Sequence, residues 1–185
     1  MATLASPAEV VAFWFQESTP EQWFKKDPAF DAAIRDRFWD THRAAAAGQL
    51  DRWADTADGL MAVVLVLDQF SRNLFRDSPE AYAQDAKALQ LARAGIARGF
   101  DLEVEPPDHR VFLYLPFEHS ENLADQDEAV RLCEERTEDP RFLDFAHRHR
   151  DVIQTYGRFP HRNAVLGRAN TPAEEEYLAQ PGAGF

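Results

Sequence analysis

The chain has 185 residues, 45% of them hydrophobic, and a formal net charge of −12. That length fits one domain, 1–185, with enough apolar material for a core that needs no disulfide. The negative charge argues against duplex nucleic acid and against an anionic membrane surface as partners, because both require a field of the opposite sign.

The opening "MATLASPAEVVAFWF" has no basic leader and no small-residue cleavage pattern, so no secretory signal is expected. Ser6-Pro7 predicts a helix over 7–17, and Glu9 three residues beyond the cap completes a capping box. Asp27-Pro28 opens a second helix over 28–47, with Phe30, Ile34, Phe38 and Trp39 on one face and Asp31, Arg35, Asp36 and Asp40 on the other. Gly48 is placed to end it. A third, over 57–71, contains "GLMAVVLVL", apolar nearly all round and about half the length a bilayer requires. It reads as the central helix that the others cover. Ser78-Pro79 predicts a helix over 79–98, turning Tyr82, Leu89 and Ile96 inward and stopping at Gly99.

After the loop "GFDLEVEPP", an aromatic helix is expected over 108–115, ended by Pro116, and another over 125–137. The latter carries Cys133, the single cysteine, so no intramolecular disulfide can form, which suits a reducing cytoplasm. Glu134 and Glu135 beside it disfavour the thiolate, leaving a packed thiol as the expectation. Asp139-Pro140 opens a helix over 140–156 with Phe142, Phe145, Ile153 and Tyr156 inward and Gly157 at its end. Thr171-Pro172, with Glu174 completing a second capping box, opens the last, over 172–179. The tail "QPGAGF" is flexible in composition, and Phe185 is available to dock. No strand alternation occurs, so the fold class is all-α, and short connections favour antiparallel helical hairpins in a bundle or stack.

Three phrases set charge against apolar bulk. "LDQFSRNLFR" carries Asp68, Gln69, Arg72, Asn73 and Arg76. "VFLYLPFEHSENLADQ" carries Glu118, His119, Ser120 and Glu121, and "TYGRFPHRNAVLGR" carries Arg158, His161, Arg162 and Asn163. Buried charge is costly unless paired, so these groups need partners. In one reading they satisfy each other as a structural ion-pair network. In the other, basic groups outnumber local carboxylates and leave a pocket for a small anionic molecule. Asp68, Arg72, Asn73, Arg76, Glu121, Arg158, Arg162 and Asn163 then bind the ligand, while His119, His161 and Glu118 move protons. "EHSE" lacks the two-histidine spacing of a zinc peptidase and stands among arginines, so no metal is expected. No glycine-rich phosphate loop occurs, so no nucleotide cofactor is expected either.

"FWF", "VLDQFSRNLFRDSPEAYAQD", "FLYLPFEHSENLADQ" and "YGRFPHRNAVLGRANTPAEEEYL" together resemble, in order and spacing over nearly the whole chain, the bacterial family called domain of unknown function 924. The resemblance implies an all-helical fold grouped with tetratricopeptide-like superhelices. It adds Gln69, Asp85, Ser120 and Arg168 to the matched polar positions and brings no established activity. Ser71 stands where the family often has proline, which is expected to loosen a turn. Such superhelices commonly present a concave surface, so a scaffold that binds a protein or peptide is the alternative function. Exposure separates the two: an open cleft at His119 and Arg162 favours the small molecule, and a sealed, fully paired cluster favours the scaffold.

Overall fold

In the computed structural model, which describes residues 4–184, four of the five capping pairs start an α-helix. Helix α1 (Pro7–Ala12) continues into a wider, π-helical turn (Phe13–Glu17), and the Ser6–Glu9 capping box is formed. A start missed from sequence follows: Thr19-Pro20 opens α2 (Pro20–Phe24), where Gln22 Oε1 accepts from the Thr19 N–H at 3.0 Å. Helix α3 (Pro28–Ala46) is capped by Asp27 and buries Phe30, Ile34 and Phe38, with Trp39 half-buried. Gly48 adopts φ +81°, the left-handed conformation that ends a helix.

The central helix is longer than expected. Helix α4 (Ala57–Val64), a π-helical segment (Leu65–Phe70) and α5 (Ser71–Leu74) follow one another with helical backbone throughout. Every residue from Gly59 to Phe70 is buried. Helix α4 packs on α1 and, with its π-helical extension, on α6 (Asp85–Ala97) and α7 (Val111–Glu118), while the extension and α5 cover α3. Close approach explains two glycines: a Cβ on Gly59 would lie 2.0 Å from Trp53 O, and one on Gly95 would lie 2.1 Å from Leu60 Cδ2. Ser71 is helical, not in a turn, and its hydroxyl donates to Leu67 O at 2.6 Å.

The expected helix over 79–98 is broken. Ser78 spends its hydroxyl on the Glu80 carboxylate and caps nothing, so Pro79–Tyr82 forms a 3₁₀ turn and α6 begins at Asp85. Its buried face is Ala88, Ala92 and Gly95, small enough to lie close on α4, while Leu89 and Ile96 are half-buried. Helix α7 runs past Pro116 instead of ending there. Proline removes one backbone donor, but Val111–Glu118 are all buried, and packing holds the helix through the defect.

Helices α8 (Leu123–Arg136) and α9 (Pro140–Tyr156) are joined by three residues and run back along each other. The buried face of α9 is Ala146, His149, Val152 and Ile153. Phe145, expected inward, is 44% exposed, although it stands one helical turn before His149 on the same face. Gly157 ends α9 at φ +71°, and the Thr171–Glu174 capping box starts α10 (Pro172–Leu178). No strand occurs among the described residues, and Phe185 lies outside them. No described helix is long and apolar enough to cross a membrane.

Candidate functional site

Asp68 lies in the π-helical segment with no exposed surface. Its carboxylate accepts from His119 Nδ1 at 2.7 Å, from Gln69 Nε2 at 2.7 Å and from Arg72 Nη1 at 3.2 Å. Burial alone would raise its pKa. The Arg72 charge and the contacts to His119 and Gln69 outweigh that and hold it well below the usual carboxylate range. An ionised Asp68 fixes the imidazole with its Nδ1 proton toward the carboxylate, leaving Nε2 for proton exchange. Burial, then the Arg72 charge, lowers the His119 pKa, so the ring is neutral near pH 7.

Arg72 reaches a second carboxylate. It forms a two-pronged pair with Asp85 at 2.9 and 3.0 Å, and Arg162 Nη1 contacts the same carboxylate at 3.4 Å. Two guanidiniums thus share Asp85, one tightly and one loosely. The Arg162 carbon lies 4.5 Å from the ring centres of both Tyr82 and Phe159. Its side chain is 8% exposed, and its Nε is buried with no hydrogen-bond partner. Burial and the Arg72 charge push its pKa down, although a guanidinium keeps its proton in practice. The neighbouring side chains of Arg72, Asp85 and His119 keep 21%, 16% and 13% exposure. The cluster is therefore nearly sealed, but it is not fully paired.

The other candidates are placed elsewhere. Arg76 pairs in two-pronged fashion with Asp31 of α3, which also accepts from Asn73 at 2.8 Å. Arg158 pairs with Glu174 at 2.6 and 2.8 Å. Glu121 pairs with Arg168 at 2.8 and 2.9 Å and accepts the Phe159 N–H at 2.8 Å. Asn163 bridges Arg168 and Asn170. So the four arginines do not surround one hollow. A surface hollow of about 590 Å³ is lined by Arg158 and Glu174, with Thr155, Tyr156, Thr171 and Ala173, and includes none of Arg72, His119 or Arg162.

Glu118 meets no arginine. Its Oε1 is 3.8 Å from Cys133 Sγ and its Oε2 is 3.3 Å from His149 Nδ1. Burial pushes its pKa up to about 8. His149 Nδ1 also lies 2.8 Å from Phe145 O, and burial takes its pKa down to about 3. Burial likewise takes His161 down to about 4, helped by the Arg162 charge. The Cys133 thiol is buried and pushed up by burial and by Glu118, not by Glu134 and Glu135. Among the described residues no cluster of three histidine, cysteine or acidic side chains is arranged to hold a metal ion.

In sequence Tyr82 is a core position, Asp85 stands out only through the family resemblance, and Asp31 and Glu174 have the marks of a surface and a capping residue. No local spacing links them to their arginine partners, so only tertiary packing reveals the pairs.

Fold and cluster together define an all-helical protein with an Asp–His pair and a shared guanidinium pair buried between its helices. The profile of a family described as bacterial protein of unknown function, DUF924, matches residues 10–182, and the chain belongs to that family. A protein of unknown function from Agrobacterium tumefaciens has a similar solved structure, with a TM-score of 0.89 and 44% identity over 95% of this chain and 97% of that one. No curated protein matches the chain.

Proposed function

We propose that the protein binds a small anionic molecule at the Arg72–Arg162 pair, with the Asp68–His119 pair beside it as proton donor or acceptor. Arg162 carries this reading. A buried guanidinium with one 3.4 Å ion pair and an unpartnered Nε is short of acceptors, and such a shortfall is costly unless an anion or water supplies them. Arg72 adds a second guanidinium on the same Asp85 carboxylate. His119, oriented by Asp68, is held as acid–base imidazoles are held. A cytoplasmic setting, expected from the lone cysteine, goes with this reading.

The alternative, a scaffold for a protein or peptide, draws support from Arg76–Asp31, Arg158–Glu174 and Arg168–Glu121. Those complete pairs fasten loops to helices or to one another and account for the residues they contain. They leave Arg162 unexplained.

A thermal-shift series with phosphate, sulfate and small carboxylates at millimolar concentration tests the proposal. Ligand at a hundredfold excess over Kd stabilises by about 2.7 kcal/mol, which raises the melting temperature of the wild type. Arg162→Gln should abolish that rise. A wild type indifferent to every anion would refute the reading.

A further inference from the structure

We infer that the anion taken at the Arg72–Arg162 pair is a monocarboxylate, bound along the guanidinium edge, and that it enters together with one proton. Resting on the anion-site reading above, this adds the ligand's class and its charge. Shape comes first. Tyr82 and Phe159 occupy the space 4.5 Å from the Arg162 carbon, and Nη1 is directed to Asp85. The edge formed by Nε and Nη2 remains, and its two parallel donors match the two oxygens of a carboxylate. A phosphate would carry further oxygens past that edge, toward aromatic carbon that cannot hydrogen-bond them.

Charge gives the same answer independently. Arg72 and Arg162 are balanced by Asp68 and Asp85. Glu121 is taken by Arg168. Glu118 holds its proton near neutral pH, and His119, His149 and His161 are neutral. No surplus positive charge awaits a ligand. A monoanion therefore leaves one uncompensated negative charge in a nearly sealed site, and a dianion leaves two. One proton cancels the first and not the second.

His119 is the acceptor the geometry favours. Its Nδ1 already faces the Asp68 carboxylate at 2.7 Å, so an imidazolium formed by protonation at Nε2 has its counter-ion in place. The charged groups acting on it are Arg72, which opposes protonation, and Asp68 and Asp85, which favour it. His149, whose ring centre is 6.2 Å away, stays neutral. His161 is opposed by Arg162, His119 and Arg72, and Glu121 favours its charge. The ligand's own negative charge tips His119 toward protonation.

Isothermal titration of the full chain with acetate, formate and inorganic phosphate, in two buffers of different ionisation enthalpy, reads both parts. Acetate or formate should bind with uptake of about one proton, and affinity should fall about tenfold per pH unit as pH rises above neutrality. Phosphate should bind at least about tenfold more weakly. His119→Gln should lose the proton uptake and the pH slope, and with them affinity for carboxylate at and below neutral pH; should that variant not fold, the wild-type buffer comparison and pH slope carry the test. Phosphate binding as tightly as acetate, or acetate binding with no proton taken up, would overturn this inference while leaving the anion site intact. Failure of all three probes to bind would remove both.

Discussion

Glu118 and His119 are neighbours in sequence whose side chains enter different surroundings. His119 meets an ionised carboxylate, whereas Glu118 meets a thiol and a neutral imidazole. Desolvation with no cation in contact favours the neutral acid, and burial takes the Glu118 pKa from 4.5 to about 8. The native state then binds the extra proton, so stability contributed by Glu118 is complete below about pH 4.5 and is lost as pH rises through about 8. The loss amounts to several kcal/mol. Glu118→Gln, which mimics the protonated acid, should remove that slope. Urea unfolding of both proteins at pH 6 and pH 8.5 checks it, and parallel losses would show that Glu118 is not the titrating group. In sequence Glu118 stands with His119 among the charged groups of one phrase, as a candidate to move protons. Which way each side chain turns at the end of α7 is decided by α8 and α9, and that is invisible locally.

At the scale of elements, the boundaries that were readable are those written in local chemistry. Ser6-Pro7, Asp27-Pro28, Asp139-Pro140 and Thr171-Pro172 each start a helix, and Gly48, Gly99 and Gly157 each take a left-handed conformation. Misses arose where a local signal competes with something else. Ser78 finds Glu80 before it finds a helix N–H, and Pro116 is overridden by a fully buried helix. The glycine in the central helix is also a matter of packing. Gly59→Ala gains about 1 kcal/mol in helix propensity, yet its Cβ would stand 2.0 Å from the Trp53 carbonyl. Backbone cannot yield as a side-chain tip can, and overpacking costs typically 1–3 kcal/mol. The clash should win, with a net loss of up to about 2 kcal/mol in urea unfolding; a gain in stability would mean that the 3₁₀ turn at Asp51–Asp55 moves aside freely.

For the whole molecule, the all-helical class and the polar phrases were legible, and the partners of those phrases were not. Asp68, Arg72, His119 and Arg162 do converge, through Asp68 and Asp85, although they come from segments as much as ninety-four residues apart. Arg76, Arg158 and Glu121 carry the same chemistry in sequence and serve to fasten loops. An acidic protein thus has a place where two guanidiniums share a carboxylate and one of them is short of acceptors. A crystal of the wild type soaked in bromide, with the halide located by anomalous scattering, examines that place directly. A bromide should lie between Arg162 and Arg72, within hydrogen-bond distance of a guanidinium N–H of each. Bromide found only at other surfaces, with Arg162 Nε against ordered water, would contradict it.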